Sequence, residues 1–354
     1  MTTVSKSDNR VVGQPADSSV ERTLTYAQAI NEALLLEMER DPKVVLMGED
    51  VGAFGGIYGH FRGLYERFGE DRVRDTPISE AGFVGLGSGA AISGMRPVVE
   101  LMTVDFFGVA MDQINYMAKV YFNSGGTRRV PLVILASIGN PLRQGATHSQ
   151  TLYGLFAHLP GLKVVVPASP YDAKGLLSAA IADDNPVVFL FHRGLLPLQG
   201  FASEPNGDAV VPAERYQLEL GKLAVRKPGK DLTVASVSFF VREVMRALPL
   251  LEEEHIDAEV LDMRTLVPLD RAGLIESVRR TGRLLVVDED YRSFGMSGEL
   301  VASVAEAAHD ALKAAPIRLA RTDSPIPFSR GLEDAAVPTP TRILRAAREL
   351  MSRT

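Results

Sequence analysis

The stretch Asp75-Thr-Pro-Ile-Ser-Glu-Ala-Gly-Phe-Val-Gly-Leu-Gly-Ser-Gly-Ala90 decides which kind of α/β protein this chain is. Gly85, Gly87 and Ala90 satisfy G-x-G-x-x-A, the pattern of a dinucleotide-binding turn. That turn requires an apolar strand running straight into its first glycine. Here the polar, proline-containing segment from Asp75 to Gly82 stands in that place. The pattern is therefore read as a helix that begins near Ser79, its glycines and alanines leaving a bare face for close packing. Glu80 falls in the first turn of this helix, amid Ile78, Ala81 and Phe83, where the helix dipole favours an acid whether or not it has a further role.

Outward from this segment, helical and strand-like patterns alternate. Thr25-Tyr-Ala-Gln28 fits a capping box, and Ala29, Ile30, Ala33 and Leu34 follow with helical spacing. Short apolar runs at Val44 to Met47, Val98 to Met102, Val130 to Ala136, Lys163 to Val166 and Val187 to Phe191 read as buried strands. This is the signature of a mostly parallel α/β sheet. The rhythm breaks between Gly194 and Lys230, which holds Pro197, Gly200, Pro205, Gly207, Pro212 and Pro228, and then resumes. Strands are expected at Leu232 to Val237, Ala258 to Leu261, Leu284 to Val287 and Ile317 to Ala320. The resulting division is a disordered lead-in over 1–22, a first domain over 23–200, a linker over 201–228 and a second α/β domain over 229–354.

The composition narrows the chemistry. Of 354 residues, 46% are hydrophobic and 23% charged, as in ordinary globular chains, and the length suits two domains. The net charge of −6 offers no cationic field, so neither nucleic acid nor membrane is expected as a partner. Zero cysteines exclude disulfides, thiol nucleophiles and cysteine metal sites. Neither a secretory signal nor an apolar run of membrane-spanning length is found, so a cytoplasmic protein is expected. No zinc, Walker or nucleophile-elbow motif is present. His148, in the small polar loop Gly145-Ala-Thr-His-Ser-Gln150 after a strand, is a candidate for proton transfer.

Taken together, several stretches resemble the β subunit of the thiamine-diphosphate-dependent component of 2-oxo acid dehydrogenase complexes. They are Val44-Val-Leu-Met-Gly-Glu-Asp-Val51, Asp75 to Phe83, Asp112-Gln113, His148-Ser-Gln150, Pro160-Gly-Leu-Lys-Val-Val165, Asp184-Asn-Pro-Val-Val188 and Leu266-Val-Pro-Leu-Asp270. Their order and spacing run from about residue 24 to 350. The resemblance implies a thiamine-binding pyrimidine-type domain with a mostly parallel sheet, followed by a transketolase C-terminal-like α/β domain. It places Glu80 opposite the ring nitrogen of the cofactor's aminopyrimidine, where the carboxyl group shares a proton with that nitrogen, and it makes His148 the pocket histidine near the reactive carbon. It places Ile78, Met102 and Phe106 around the aminopyrimidine and Glu49 on a proton path. Leu132, Ala180, Asp183 and Asn185 match a potassium site that steadies loops near the active site in some members.

The Gly-Asp-Gly motif that holds magnesium in related enzymes is absent. The resemblance therefore implies half a site, with thiamine diphosphate shared and Mg2+ held by an α subunit in an α2β2 heterotetramer. That assembly docks on a dihydrolipoyl acyltransferase core and passes its acyl group to a lipoyl domain. The substrate implied is a 2-oxo acid, such as pyruvate or a branched-chain acid, or acetoin. Two alternatives remain at this point, an acyloin-forming or transketolase-like α/β enzyme without lipoyl acceptor, and a non-catalytic scaffold subunit. The chain departs from its relatives at Leu135, where many carry Arg, over Ser137 to Gln144, at Phe191, where relatives tend to have Glu, and at Leu196-Pro197.

Overall fold

The capping box forms as its residues require: Gln28 N donates to Thr25 Oγ1 at 3.2 Å, and Thr25 N donates to Gln28 Oε1 at 2.8 Å. It opens helix α1 (Tyr26–Arg40), whose Ala29, Ile30, Ala33 and Leu34 are buried. The structure, a computed structural model, describes residues 22–139, 144–197 and 210–353. After α1 come β1 (Val44–Gly48), α2 (Leu64–Phe68), β2 (Val73–Asp75), α3 (Glu80–Ile92), β3 (Arg96–Thr103), α4 (Met111–Asn123) and β4 (Val133–Ile138). The first domain closes with α5 (Tyr153–Ala157), β5 (Lys163–Val165), α6 (Pro170–Ala182) and β6 (Val187–His192). The second contains β7 (Ala224–Lys227), β8 (Leu232–Ser236), α7 (Phe239–Glu253), β9 (Ala258–Asp262), β10 (Thr265–Val267), α8 (Arg271–Thr281), β11 (Leu284–Tyr291), α9 (Met296–Ala308), β12 (Ile317–Arg321), α10 (Arg330–Ala336) and α11 (Pro340–Ser352).

The first sheet has the order β10-β5-β6-β4-β3-β1-β2 and the second β12-β11-β8-β9-β7. All pairings are parallel except β10 with β5 and β7 with β9. Thus β10, from the second half of the sequence, completes the edge of the first sheet. One face of that sheet, including Leu46, Val98 and Val133, packs with residues of α1 and α6. The other face, including Met47, Val99 and Ile134, packs against α3 and α4 and runs on into Ala235, Leu261 and Val286 of the second sheet as one core. Buried charges also join the halves: Asp172 of α6 pairs with Arg226 of β7 and with Arg264 at 2.7 Å, and Arg226 pairs with Asp262 at 2.7 Å.

Several expectations need correction. Residues 1–21 of the lead-in and 198–209 of the linker lie outside the described residues. Arg22, assigned to the lead-in, is held by Glu32 at 2.7 Å and by the carbonyl of Pro212 at 2.9 Å. The last residues of the linker, 224–227, are strand β7. It is an edge strand followed by Pro228, which is why its alternation is weak. The strand expected from Val130 starts only at Val133, because Pro131 has no N–H to give to a ladder. The three-residue strands β2 and β10 were not expected at all. The G-x-G-x-x-A segment lies inside α3, and a Cβ on Gly87 would come within 2.5 Å of Val99 Cγ2, so the bare face is real at that residue. No helix among the described residues is long and apolar enough to cross a membrane.

Candidate active site

The parallel strands β1, β3 and β4 are neighbours, so their carboxyl ends stand side by side, the place where open α/β sheets bind ligands. Four of the predicted residues sit there: Glu49 follows β1, Met102 lies at the end of β3, Phe106 occupies the 3-10 turn after it, and His148 follows β4. Glu80 opens α3, the helix that follows β2. The loop after β1 is tied to the end of β2 by Gly52 N, which donates to Asp75 Oδ1 at 2.6 Å.

Glu49 and Glu80 are both buried. Glu49 Oε1 has no hydrogen-bond partner, and the Glu80 carboxylate makes no hydrogen bond among the described residues. Burial, and then the negative charges of Glu80, Asp50 and Glu100, push the Glu49 carboxyl above its ordinary range. Met102 has φ of +52°, at an irregularity in the β3–β4 register between Glu100 and Thr103. A bulge re-aims a side chain at a strand end, and such a backbone persists only where its surroundings hold it. Here Ser137 Oγ donates to the Met102 carbonyl at 2.7 Å.

Phe106 and His148 meet edge to face, with ring centroids 5.2 Å apart at 86°. His148 Nδ1 lies 2.8 Å from Thr147 Oγ1. Gly139 N donates to the Gln150 carbonyl at 2.9 Å, and the Gln150 N–H reaches Asp105 Oδ1 at 3.4 Å, so the His148 loop is anchored to β4 and to the turn bearing Phe106. A cavity of about 450 Å³ opens beside this loop, lined by Ala146, Gln150, Tyr291, Asp323, Ser324 and Pro325. Residues of both domains therefore line this cavity. Ile78, by contrast, is 84% exposed and Phe54 66% exposed. Both are large apolar side chains left uncovered in this chain, on the loops that precede Glu80 and follow Glu49.

The four residues of the potassium expectation do not join this group. They lie at or before the amino ends of β4 and β6, the length of a strand away, roughly 17 Å. Oxygens of three of them accept hydrogen bonds within the chain: Leu132 O accepts from Val187 N at 2.9 Å, and Ala180 O from Asp183 N at 3.3 Å. Asp183 accepts from Lys163 and, at 2.8 Å, from Asn185 N. Burial alone would raise the Asp183 carboxyl, but these hydrogen bonds overcome it and hold the group below its ordinary value. A cleft of about 530 Å³ also opens at that end, lined by Lys43, Arg96, Arg129 and Asp184 among others, and contains none of the predicted residues.

Two features escape a sequence reading. Asp105 fixes the His148 loop, and His60 pairs with Glu100 inside the first sheet's core. The available signal was the charge itself: Glu100 interrupts the apolar run Val98-Val99-Glu-Leu-Met102, where an acid needs a partner.

Comparison with known proteins identifies the family of the chain. The family described as "Transketolase, pyrimidine binding domain" matches residues 22–199, and "Transketolase, C-terminal domain" matches 221–343. The chain is 43% identical over 341 residues to the β subunit of acetoin:2,6-dichlorophenolindophenol oxidoreductase from Cupriavidus necator, covering 93% of this chain and 98% of that one. It is 43% identical over 332 residues to the mitochondrial pyruvate dehydrogenase E1 component subunit beta-1 of Oryza sativa, covering 94% and 87%. With the 2-oxoisovalerate dehydrogenase subunit beta of Bacillus subtilis it shares 40% over 329 residues, covering 92% and 98%. Among solved structures, a split-gene transketolase described as an inactive β4 tetramer superposes with a TM-score of 0.73 at 23% identity, over 94% of this chain and 99% of that one.

Proposed function

The chain belongs to the family of β subunits of thiamine-diphosphate-dependent 2-oxo acid and acetoin dehydrogenases, and on that premise we propose that it supplies the aminopyrimidine half of an active site completed by an α subunit. The observation that carries the reading is the grouping of these residues at neighbouring strand ends. Glu49 keeps a buried carboxylate oxygen without a hydrogen-bond partner, Glu80 is buried within reach of its charge, and Phe106 pairs with His148 at neighbouring strand ends, while Ile78, two residues before Glu80, is left 84% exposed. Buried acids need a partner, and an exposed apolar rim calls for a cover. A cofactor ring and a second subunit provide both.

The chemistry that thiamine diphosphate supplies when bound is an electron sink for breaking the carbon–carbon bond beside a carbonyl. Glu80 holds a proton toward the pyrimidine nitrogen, with Glu49 behind it as the next acid on a proton path. Met102 and Phe106 offer apolar faces to the ring, and Ile78 packs from the rim. His148, oriented by Thr147 and Phe106, moves protons at the substrate carbon. The diphosphate and Mg2+ fall to the α subunit, because the chain lacks Gly-Asp-Gly. The acceptor in this reading is a lipoyl domain of an acyltransferase core, reached by an α2β2 heterotetramer.

The test is reconstitution with an α chain. Calorimetry should show magnesium-dependent binding of thiamine diphosphate by the pair and weak or no binding by this chain alone. The pair should reduce 2,6-dichlorophenolindophenol with acetoin, pyruvate or a branched-chain 2-oxo acid, and acylate a lipoyl domain. Glu80→Gln should lower kcat by roughly 100- to 10,000-fold, the span of general acid–base contributions. Tight binding by the isolated chain would refute the half-site. Turnover with aldehyde acceptors only would move the reading to an acyloin-forming enzyme, and an unaffected Glu80→Gln pair would reduce this chain to a scaffold.

A further inference from the structure

The cavity of about 450 Å³ beside the His148 loop has no part in the function so far. Its size lies within the range of small-molecule sites, roughly 300–1,000 Å³. The first domain contributes Ala146 and Gln150, which stand two residues before and two after His148. The second contributes Tyr291, Asp323, Ser324 and Pro325. The two sides meet where the Tyr291 hydroxyl donates to Gln150 Oε1 at 3.5 Å. The amide nitrogen of Gln150 has no partner among the described residues and remains a free donor.

Whatever enters here has to suit the charge of the lining. Asp323 is the charged group among these lining residues, and no cation stands with it. Ser293 fixes it, donating from its hydroxyl at 2.6 Å and its N–H at 3.1 Å. Those bonds, with the charges of Arg292 and Arg318 acting in the same direction, hold the carboxyl below its ordinary range, so it is ionised at neutral pH. A 2-oxo acid is an anion and meets a like charge. The other groups are a phenol, an amide and the Ser324 hydroxyl, all uncharged donors and acceptors, set between the apolar Ala146 and Pro325. Nearby, Phe328 is 74% exposed, and a Cβ on Gly145, at the start of the His148 turn, would come within 3.4 Å of its ring. Neutral hydrogen-bonding groups between apolar surfaces match an alkyl chain interrupted by an amide.

We infer that this cavity seats the acyl acceptor: it takes the uncharged alkyl-amide arm that carries the dithiolane ring of a lipoyl domain, and its carboxylate turns 2-oxo acid anions away. Tyr291, Asp323 and Ser324 thereby select the acceptor and take no part at the substrate carbon. The inference rests on the reading of a lipoyl acceptor.

Because the chain has no cysteine, a single one can report the position of the arm. Ser324→Cys in the reconstituted α/β enzyme should become linked to an oxidised lipoyl domain. The thiolate attacks one ring sulfur, the ring S–S bond breaks, and the other sulfur leaves and takes up a proton as a free thiol. Mass spectrometry of this chain should show that adduct with Ser324→Cys and not with Ser93→Cys, at the opposite end of α3 from Glu80. Kinetics give a second readout. Tyr291→Phe should raise the KM for the lipoyl domain roughly 3- to 10-fold, the loss of one hydrogen bond, and Ser324→Trp, which fills the cavity, should raise it further. Reduction of 2,6-dichlorophenolindophenol with the same substrate should stay at the wild-type rate in both. Lipoamide should be a better acceptor than the anion lipoate, and Asp323→Asn should narrow the difference. If wild type acylates the lipoyl domain while Ser324→Cys captures no more of it than Ser93→Cys, the inference fails alone, whether or not Ser324→Trp folds. Equal losses with dye and lipoyl domain also overturn it, since they mark a structural effect. A wild-type pair that turns over with the dye but never acylates a lipoyl domain refutes the acceptor reading, and this inference with it.

Discussion

At the scale of single residues, Glu49 is held where its ionised form works against the fold. Burial and the carboxylates around it favour its protonated state, so the folded chain holds this proton more tightly than the unfolded chain does. The stability the group contributes is therefore complete below the ordinary carboxylate range and lost as pH rises through the raised value. Glu49→Gln removes that loss. Its melting temperature should exceed that of wild type near pH 8 and converge with it near about pH 4; equal values at the higher pH would contradict the electrostatic account. Glu80 and His148 are legible as candidates because each occupies a position with a known tendency, a helix start and a loop after a strand. Their roles are not legible from position alone, and came from the resemblance. Glu100 hides for the opposite reason, since the strand around it reads as apolar and its partner His60 is 40 residues away.

At the scale of elements, α3 shows how a local pattern and its packing separate. Its glycines look equivalent in the sequence, yet only Gly87 faces a neighbour at 2.5 Å, while Gly89 meets nothing within 4 Å. Gly87→Ala should destabilise the chain by about 1–3 kcal/mol through overpacking against Val99. Gly89→Ala should leave it unchanged or stabilise it by up to about 1 kcal/mol through helix propensity. Urea unfolding of the two variants distinguishes a packing helix from a merely small-residue one. A long periodic element such as α1 is readable because its apolar spacing repeats over several turns. Three residues are too few to show a period, which is why β2 and β10 pass unnoticed although both complete the first sheet.

At the scale of the whole molecule, the halves divided by the proline-rich segment are bound together. The core on the α3 side of the first sheet continues into the second, and Asp172, Arg226, Asp262 and Arg264 are interlocked between them. Burial is the main influence raising the Asp262 carboxyl, with Arg226 opposing it. Arg226→Ala leaves the buried Asp262 without its ion pair and Asp172 with Arg264 alone, and should cost about 3–5 kcal/mol, as when one partner of a buried pair is removed. Calorimetry of wild type should give a single transition, and the variant should split it or lower it sharply. Composition and length point to two domains, but contacts between residues far apart in sequence decide how firmly they are joined. The strand β10 adds a constraint of time. The first sheet leaves the ribosome with the outer edge of β5 unpaired, and the strand that covers it is complete only once Val267, about a hundred residues after β5, has been made. Because domains otherwise tend to fold in order of synthesis, and open strand edges recruit other chains, the nascent protein must keep an unfinished sheet apart from its neighbours until its second half has begun to appear.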